Sequence, residues 1–283
     1  MIQQIQDKAR ELLQSGKVAC VIGYERATDG VGARPAFIYK AEDAGRLIFD
    51  QTCVHNLAKF LIDKKDKPAA IVAKGCDSRA VNLLLSEKQI ERDKVFVIGA
   101  VCPGVFEWGW NRTDKKLQSQ CEACRAHSPV IYDYLVGEPV PEPPAPAKPY
   151  AEEAALEAKP DAERAAFWQQ QSESCIRCYA CRRVCPGCYC YDCFVENLDP
   201  EWVGIRVAPP QNQMWLTVRA YHLAGRCVDC HECDRVCPVG IPLKLLNHKL
   251  EKETQELFGY CSGMSPDAVA PLITFKKDEE IPV

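Results

Sequence analysis

The sequence predicts two unlike halves. The first is an α/β domain with a small, mostly parallel sheet; the second, reached through a Pro-rich linker, is an α+β, helix-rich domain. Three observations carry this. Over residues 1–137 short apolar runs alternate with amphipathic ones, the pattern of βαβ units. Residues 138–163 read EPVPEPPAPAKPYAEEAALEAKPDAE, a proline-dense stretch with little to bury, which behaves as a semi-rigid spacer. Residues 164–283 contain two cysteine runs, and their loops organise that region more than any periodicity does.

The elements follow in order. Ile2–Ser15 reads as a helix closed by Gly16, and Lys17–Tyr24 as a strand. Leu57, Phe60 and Leu61 recur at helical spacing, and Ala69–Ala73 is a short apolar strand of the buried type. It feeds the turn Lys74-Gly-Cys-Asp-Ser78 and a helix over Arg79–Gln89, with Asp77 or Ser78 as its cap. Val95–Ala100 is the next strand, ending at Val101-Cys-Pro-Gly104. The linker runs into a short surface helix at Ala151–Ala158. Helices are then expected at Phe167–Ser174, Leu216–Leu223 and Leu243–Phe258, the last with Leu245, Leu246, Lys249, Leu250 and Leu257 on its buried stripe. The charged tail Phe275–Val283 is expected to be loose.

Composition raises one anomaly. Cysteine accounts for 18 of 283 residues, below the roughly 8–10% of a disulfide scaffold but far above ordinary usage. Asp7, Lys8, Arg10 and Glu11 interrupt what a secretory signal would keep apolar, and no run approaches the roughly 18–20 apolar residues of a membrane span. The expected compartment is therefore the cytoplasm, where thiols stay reduced and serve as metal ligands or redox centres. A net charge of −4 and a pI near 5.8 argue against nucleic acid. No Walker motif, G-x-S-x-G or H-E-x-x-H is present.

The strongest signal is Cys175-Ile-Arg-Cys178-Tyr-Ala-Cys181-Arg-Arg-Val-Cys185-Pro186, repeated as Cys227-Val-Asp-Cys230-His-Glu-Cys233-Asp-Arg-Val-Cys237-Pro238. In such a run three thiolates grip one cubane, while the fourth, followed by proline, ligates the cluster of the other run. The expected sets are thus Cys175, Cys178, Cys181 and Cys237 for one 4Fe–4S cluster, and Cys227, Cys230, Cys233 and Cys185 for the other. Structural zinc, which favours paired C-x₂-C units, fits four regularly stepped cysteines poorly. Cys188, Cys190 and Cys193 lie between the runs. They read either as a further centre completed by Cys261 or Cys53, or as packing around the first cubane.

In the first half, Cys76 and Cys102 each follow the carboxyl end of an expected strand, where open α/β sheets place ligands. Cys121-Glu-Ala-Cys124 could complete a four-thiolate cluster with them, zinc being the alternative. Cys53 is a spare candidate, and Cys20, inside an apolar strand, reads as core. His55, His127, His222, His231 and His248 show no local metal spacing, although His231 lies within a cluster loop and could tune it. Arg177, Arg182, Arg183, Arg226 and Arg235 lie in or beside those loops as solvated charge or as docking groups. A flavin phosphate at the helix start after Gly75 would be helped by Arg79 and opposed by Asp77.

These residues carry two resemblances. Gly16-Lys-Val18 with Val21-Ile-Gly-Tyr24, Cys53-Val-His-Asn-Leu57, Lys74-Gly-Cys-Asp-Ser-Arg-Ala80, Val101-Cys-Pro-Gly104 and Cys121-Glu-Ala-Cys124 look like the N-terminal domain of the deazaflavin-reducing hydrogenase and formate dehydrogenase beta-subunit family. That resemblance spans roughly residues 14–137 and implies cluster ligation by the cysteines of the last three motifs. A proline linker and cysteine module stand where the family carries the larger domain that helps hold its flavin and deazaflavin. The second half, through Cys185-Pro-Gly-Cys-Tyr-Cys190, Arg219-Ala-Tyr-His-Leu-Ala-Gly-Arg226 and Leu257-Phe-Gly-Tyr260, is similar to dicluster ferredoxin-like subunits of heterodisulfide-reductase-type, hydrogenase and anaerobic sulfite-reductase complexes. Together these imply an iron–sulfur electron-transfer subunit that relays single electrons in anaerobic metabolism, with other redox subunits or ferredoxin as partners. The competing expectation is a flavin-containing subunit acting on a soluble coenzyme.

Overall fold

In the computed structural model the described residues are 1–107, 116–122, 124–141 and 150–274. The proline-dense centre of the linker and the charged tail, 275–283, lie outside them. Chain contacts separate two units, Met1–Ala147 with Gly263–Asp267, and Lys148–Ser262 with Ala268–Val283.

The first unit is built on a five-stranded sheet of order β2-β1-β3-β4-β5. The strands are β1 (Cys20–Arg26), β2 (Ala33–Ile38), β3 (Ala69–Ala73), β4 (Val95–Ala100) and β5 (Tyr134–Val136). Only β1 and β2 run antiparallel, joined by a turn around Gly30; β1, β3, β4 and β5 are parallel. Strand β2 has mixed composition and β5 has only three residues, so neither stood out as an apolar run.

Helix α1 (Ile2–Gln14) buries Ile5, Ala9 and Leu12 against Val21, Ala70, Val72, Ile98 and Ala100. Alternation puts Ile22, Ile71 and Val97 on the opposite face. Helix α2 joins β3 to β4, but it starts at Gly75, four residues before the expected position, and ends at Ser86. Its N-cap is Lys74, whose backbone N–H donates to Asp77 Oδ2 at 3.0 Å. Asp77 therefore sits within the first turn. Residues 77–84 of α2 are buried, in part because Gly263 packs on the Arg79 backbone and its carbonyl accepts from Asn82 Nδ2.

The second unit contains α4 (Ala151–Glu157), α5 (Asp161–Ser174), α6 (Ala180–Val184), α7 (Pro209–His222), α8 (Glu232–Arg235) and α9 (Leu243–Phe258); α3 (Ser119–Glu122) belongs to the first unit. No strand occurs among the described residues of the second unit, which corrects the α+β expectation. Cysteine loops take the place of strands there. Both α5 and α7 begin six or seven residues earlier than apolar spacing suggested, because their first turns are polar or start with proline. On α9 the buried stripe is Leu243, Asn247 and Thr254, whereas Leu257 is exposed.

The two cysteine loops repeat each other in backbone as well as sequence. Arg177 and Tyr179 in the first, and Asp229 and His231 in the second, all take left-handed φ of 48–57°. Short helices α6 and α8 follow at equivalent positions and pack together. Between them lies a core of Cys175, Cys181, Cys193, Trp215, Leu216, Cys233, Ile241 and Leu243.

Gly75 offers a test of the first unit: a Cβ there would lie 1.5 Å from the Ala126 carbonyl oxygen, while one on Gly45 would meet nothing within 4 Å. Gly75→Ala should lower stability by about 1–3 kcal/mol or more through overpacking. Gly45→Ala should leave the denaturation midpoint near that of the parent.

Candidate metal centres

Parallel pairing of Ala73 with Gly99 aligns the carboxyl ends of β3 and β4, and Cys76 and Cys102 follow those ends. Cys121 and Cys124 lie on and after α3. Burial raises the Cys76 thiol well above its usual range; Asp77 adds to this, Lys74 opposes it, and Cys102 and Cys124 raise it further. Burial likewise pushes Cys102 up to about 11, with Lys74 lowering it and Cys121 and Cys124 raising it. The structure thus gathers the four thiols named from spacing. Val105 N–H donates to Cys121 Sγ at 3.3 Å.

Beside them is a buried cation. Lys74 is 2% exposed, pairs with Asp77 at 2.8 Å and donates to the His55 carbonyl at 2.8 Å and to Tyr24 Oη. Burial works against its charge, but Asp77, Tyr24, Cys76 and Cys102 hold its ammonium well above the ordinary value. Asp77 also accepts from Leu57 N–H at 2.6 Å. Asp77 thus ties the start of α2 to the loop at Leu57, Gly75 packs closely on the Ala126 backbone, and Arg79 is buried. Cys53 stands apart: burial pushes it up to about 12, followed by effects of the Asp50 backbone, Lys74, Asp50 and Arg26. Cys20 is buried in β1, as its apolar setting suggests.

In the second unit one cavity is lined by Cys227, Cys230 and Cys233 of the second run together with Cys185 of the first. Burial raises Cys230 well above its usual range, with Glu232, then Cys185, adding to it. Cys233 also rises through burial, eased by Arg219 and raised by Asp234 and Cys185. On the other side, Cys237 and Cys178 both raise the buried Cys175 thiol, and Cys175 and Cys178 both raise Cys181. Each run therefore sends its fourth cysteine toward the other.

Arg219 opens the 219–226 motif, and the fold gives it a place among the thiols. It is 2% exposed on α7 and donates to the Cys181 carbonyl at 3.2 Å. Burial opposes its charge, yet Cys185, Cys188, Cys233 and Cys181, drawn from both sets, raise its pKa. A signal was available: the buried stripe Asn212, Trp215, Leu216, Arg219, Ala220 contains one basic residue.

The loop arginines mostly have structural partners. Arg177 is buried and donates to the Gly204 and Ile205 carbonyls at 2.5 and 2.6 Å. Arg182 grips Glu196, Arg235 grips Glu232, and Arg226 lies over the Tyr189 ring. Arg183 is exposed. Cys193 is buried in the aromatic core while Cys190 is exposed, so the intervening cysteines are split; Cys188 and Cys193 both bear on Arg182. Cys261, half-buried, follows α9. His127 Nδ1 meets the Cys102 carbonyl at 3.0 Å, and His222 packs edge-on to Phe194. His231 and His248, which are 17 residues apart, converge on Asp229; no local spacing reveals that.

The donor chemistry suits metal. Buried thiols that raise one another's pKa stay protonated unless a cation stabilises the thiolates. Among the described residues no three cysteine sulfurs fall within 4.8 Å of one another, whereas four on one zinc would stand about 3.8 Å apart.

No protein-family model matches the chain. It is similar to the F420-dependent formate dehydrogenase subunit beta of Methanocaldococcus jannaschii, 30% identical over 110 residues, which is 39% of this chain and 28% of the relative. It is also similar to the F420-dependent formate dehydrogenase 1 subunit beta of Methanococcus maripaludis, 39% identical over 101 residues, 36% of this chain and 25% of the relative. The chain spans about a quarter of the length of these curated relatives. The similarity supports the resemblance carried by the N-terminal motifs. No helix among the described residues is long and apolar enough to cross a membrane.

The Lys74–Asp77 pair makes a sharp stability test, because removing one partner of a buried ion pair strands the other. Asp77→Asn should cost about 3–5 kcal/mol in urea unfolding of the anaerobically prepared full chain.

Proposed function

We propose that this chain is an iron–sulfur electron-transfer subunit of a formate dehydrogenase-type oxidoreductase complex. The observation that carries the reading is the cavity shared by Cys185 with Cys227, Cys230 and Cys233, matched by the effect of Cys237 on the Cys175 thiol. Crossed ligation of this kind belongs to paired cubanes. The assignment is Cys175, Cys178, Cys181 and Cys237 for one 4Fe–4S cluster, and Cys227, Cys230, Cys233 and Cys185 for a second. Cys76, Cys102, Cys121 and Cys124 hold a third in the first unit. The relatives are beta subunits of formate dehydrogenases, which supports other redox subunits as partners, and ferredoxin fits the same one-electron chemistry.

Bound cubanes supply one-electron storage with little rearrangement, at potentials set by charge, hydrogen bonds to sulfur and exposure. The chain provides those controls. Backbone N–H groups of Arg177, Val105 and Ile241 donate to Cys175, Cys121 and Cys237 Sγ at 3.3–3.4 Å, and Asn247 Nδ2 approaches Cys233 Sγ at 3.7 Å. Lys74 and Arg219 add buried positive charge beside the first-unit set and both second-unit sets. All of these favour the reduced, more negative state.

Anaerobic isolation should give a brown protein with about eight irons from the second unit and about four more from the first. Cys185→Ser should disturb the electron paramagnetic resonance signal of the Cys227, Cys230 and Cys233 cluster and leave that of Cys175 largely intact. A colourless protein with stoichiometric zinc would overturn the reading.

A further inference from the structure

The two cysteine loops share one backbone but not one chemistry. At the left-handed positions, the first has Arg177 and Tyr179 while the second has Asp229 and His231. Arg177 bonds to backbone carbonyls and Tyr179 packs edge-on to Trp215. Asp229 and His231 instead meet His248 of α9. His231 Nε2 lies 2.7 Å from Asp229 Oδ1, His248 Nε2 lies 2.5 Å from the same oxygen, and the two nitrogens are 3.1 Å apart. Among the described residues this is the His/Cys/Asp/Glu trio whose ligand atoms all lie within 4.8 Å.

A further carboxylate completes the arrangement. Glu153 of α4 is 4% exposed, and its Oε1 lies 3.0 Å from His248 Nδ1. A histidine whose Nδ1–H is committed to a carboxylate presents a bare Nε2 lone pair, the arrangement that orients metal-bound imidazoles. That lone pair faces a carboxylate oxygen and a second imidazole nitrogen. Nearby cations have other partners: Lys244 pairs with Glu152 and Arg235 with Glu232, while Glu251 adds negative charge near His248.

We propose that Asp229, His231 and His248 form a mononuclear site for a first-row divalent transition ion such as zinc or ferrous iron, using no cysteine ligand although His231 and His248 line the same cavity as Cys185, Cys227, Cys230 and Cys233, with Glu153 positioning His248. Ligand atoms about 2.1 Å from one ion stand about 3.0–3.4 Å apart, so the trio accepts the ion when its shortest contact, 2.5 Å between His248 Nε2 and Asp229 Oδ1, opens by about 0.5–0.9 Å. Two imidazoles and one carboxylate make a donor set for such ions, with positions left for water. The ion ties the second cysteine loop to α9 directly and to α4 through Glu153. The rival occupant is a proton on His248, which would leave two N–H groups aimed at one oxygen.

The test uses the anaerobically isolated full chain with its iron intact, washed with chelator and then titrated with zinc chloride. The expected result is one zinc per chain above an unchanged iron content. Its X-ray absorption edge should report nitrogen and oxygen at about 2.0–2.1 Å, with imidazole scattering and no sulfur at about 2.3 Å. His248→Gln should abolish zinc retention with iron unchanged, and Glu153→Gln should weaken it about 10–100-fold. No zinc on the parent chain, a sulfur shell around it, or equal retention by His248→Gln would overturn the site and establish the proton in its place. If His248→Gln also loses iron, Glu153→Gln decides, an unchanged zinc affinity counting against the site. Failure of the electron-transfer reading shows separately, as a chain isolated without iron.

Discussion

Buried sulfur needs a positive centre, and both units of this protein are arranged around that need. Cys76, Cys102, Cys175 and Cys230 are each driven toward the neutral form by burial and by their neighbours. The chain answers with Lys74 in the first unit and Arg219 in the second, each about 2% exposed. One basic group cannot neutralise four thiolates, so under the proposed function these cations would supplement the clusters and not replace them. Folding and metal loading are then coupled, because the ligand-binding free energy is also folding free energy.

The two units meet this need differently. In the first, a sheet exists independently of the thiols: α1 and the parallel strands bury a continuous aliphatic core, and the cysteines occupy the ends of strands that such a core positions. In the second, cysteines contribute to the core itself, alongside Trp215 and Leu216. Since the fourth cysteine of each run faces the other run, neither loop is complete alone. This makes the region around α6 and α8 one cooperative piece although its sequence reads as two copies.

Periodicity and spacing showed much of this. The apolar runs at Ala69–Ala73 and Val95–Ala100 are β3 and β4 with the same bounds, because buried parallel strands must be apolar throughout. Cys185 lines one cavity with Cys227, Cys230 and Cys233, whereas the group at Cys188, Cys190 and Cys193 is split between core and surface. What periodicity missed was polar or distant. Strand β2 alternates unevenly, the first turn of α2 is a buried charge pair, and α9 turns inward Asn247, which meets Cys233 Sγ, and Thr254, whose hydroxyl donates to the Leu250 carbonyl. Arg219 and Lys74 look like ordinary surface charge until burial shows otherwise. The pairing of His231 with His248 depends on a tertiary contact no local motif encodes.

The duplicated loop has one more consequence. Two redox stations with matching backbone would have nearly matching affinities for an electron and would impose no preferred direction between them. Here the repeat is broken in charge: Arg177 occupies the position that Asp229 fills in the other copy, with Glu232 buried beside the second loop. If each loop holds the cubane assigned to it, Arg177 favours the electron beside the first loop, and a divalent ion on Asp229, His231 and His248 would offset the charge of Asp229 and narrow the difference. Duplication followed by divergence at a single left-handed position thus turns a symmetric pair of traps into a graded step.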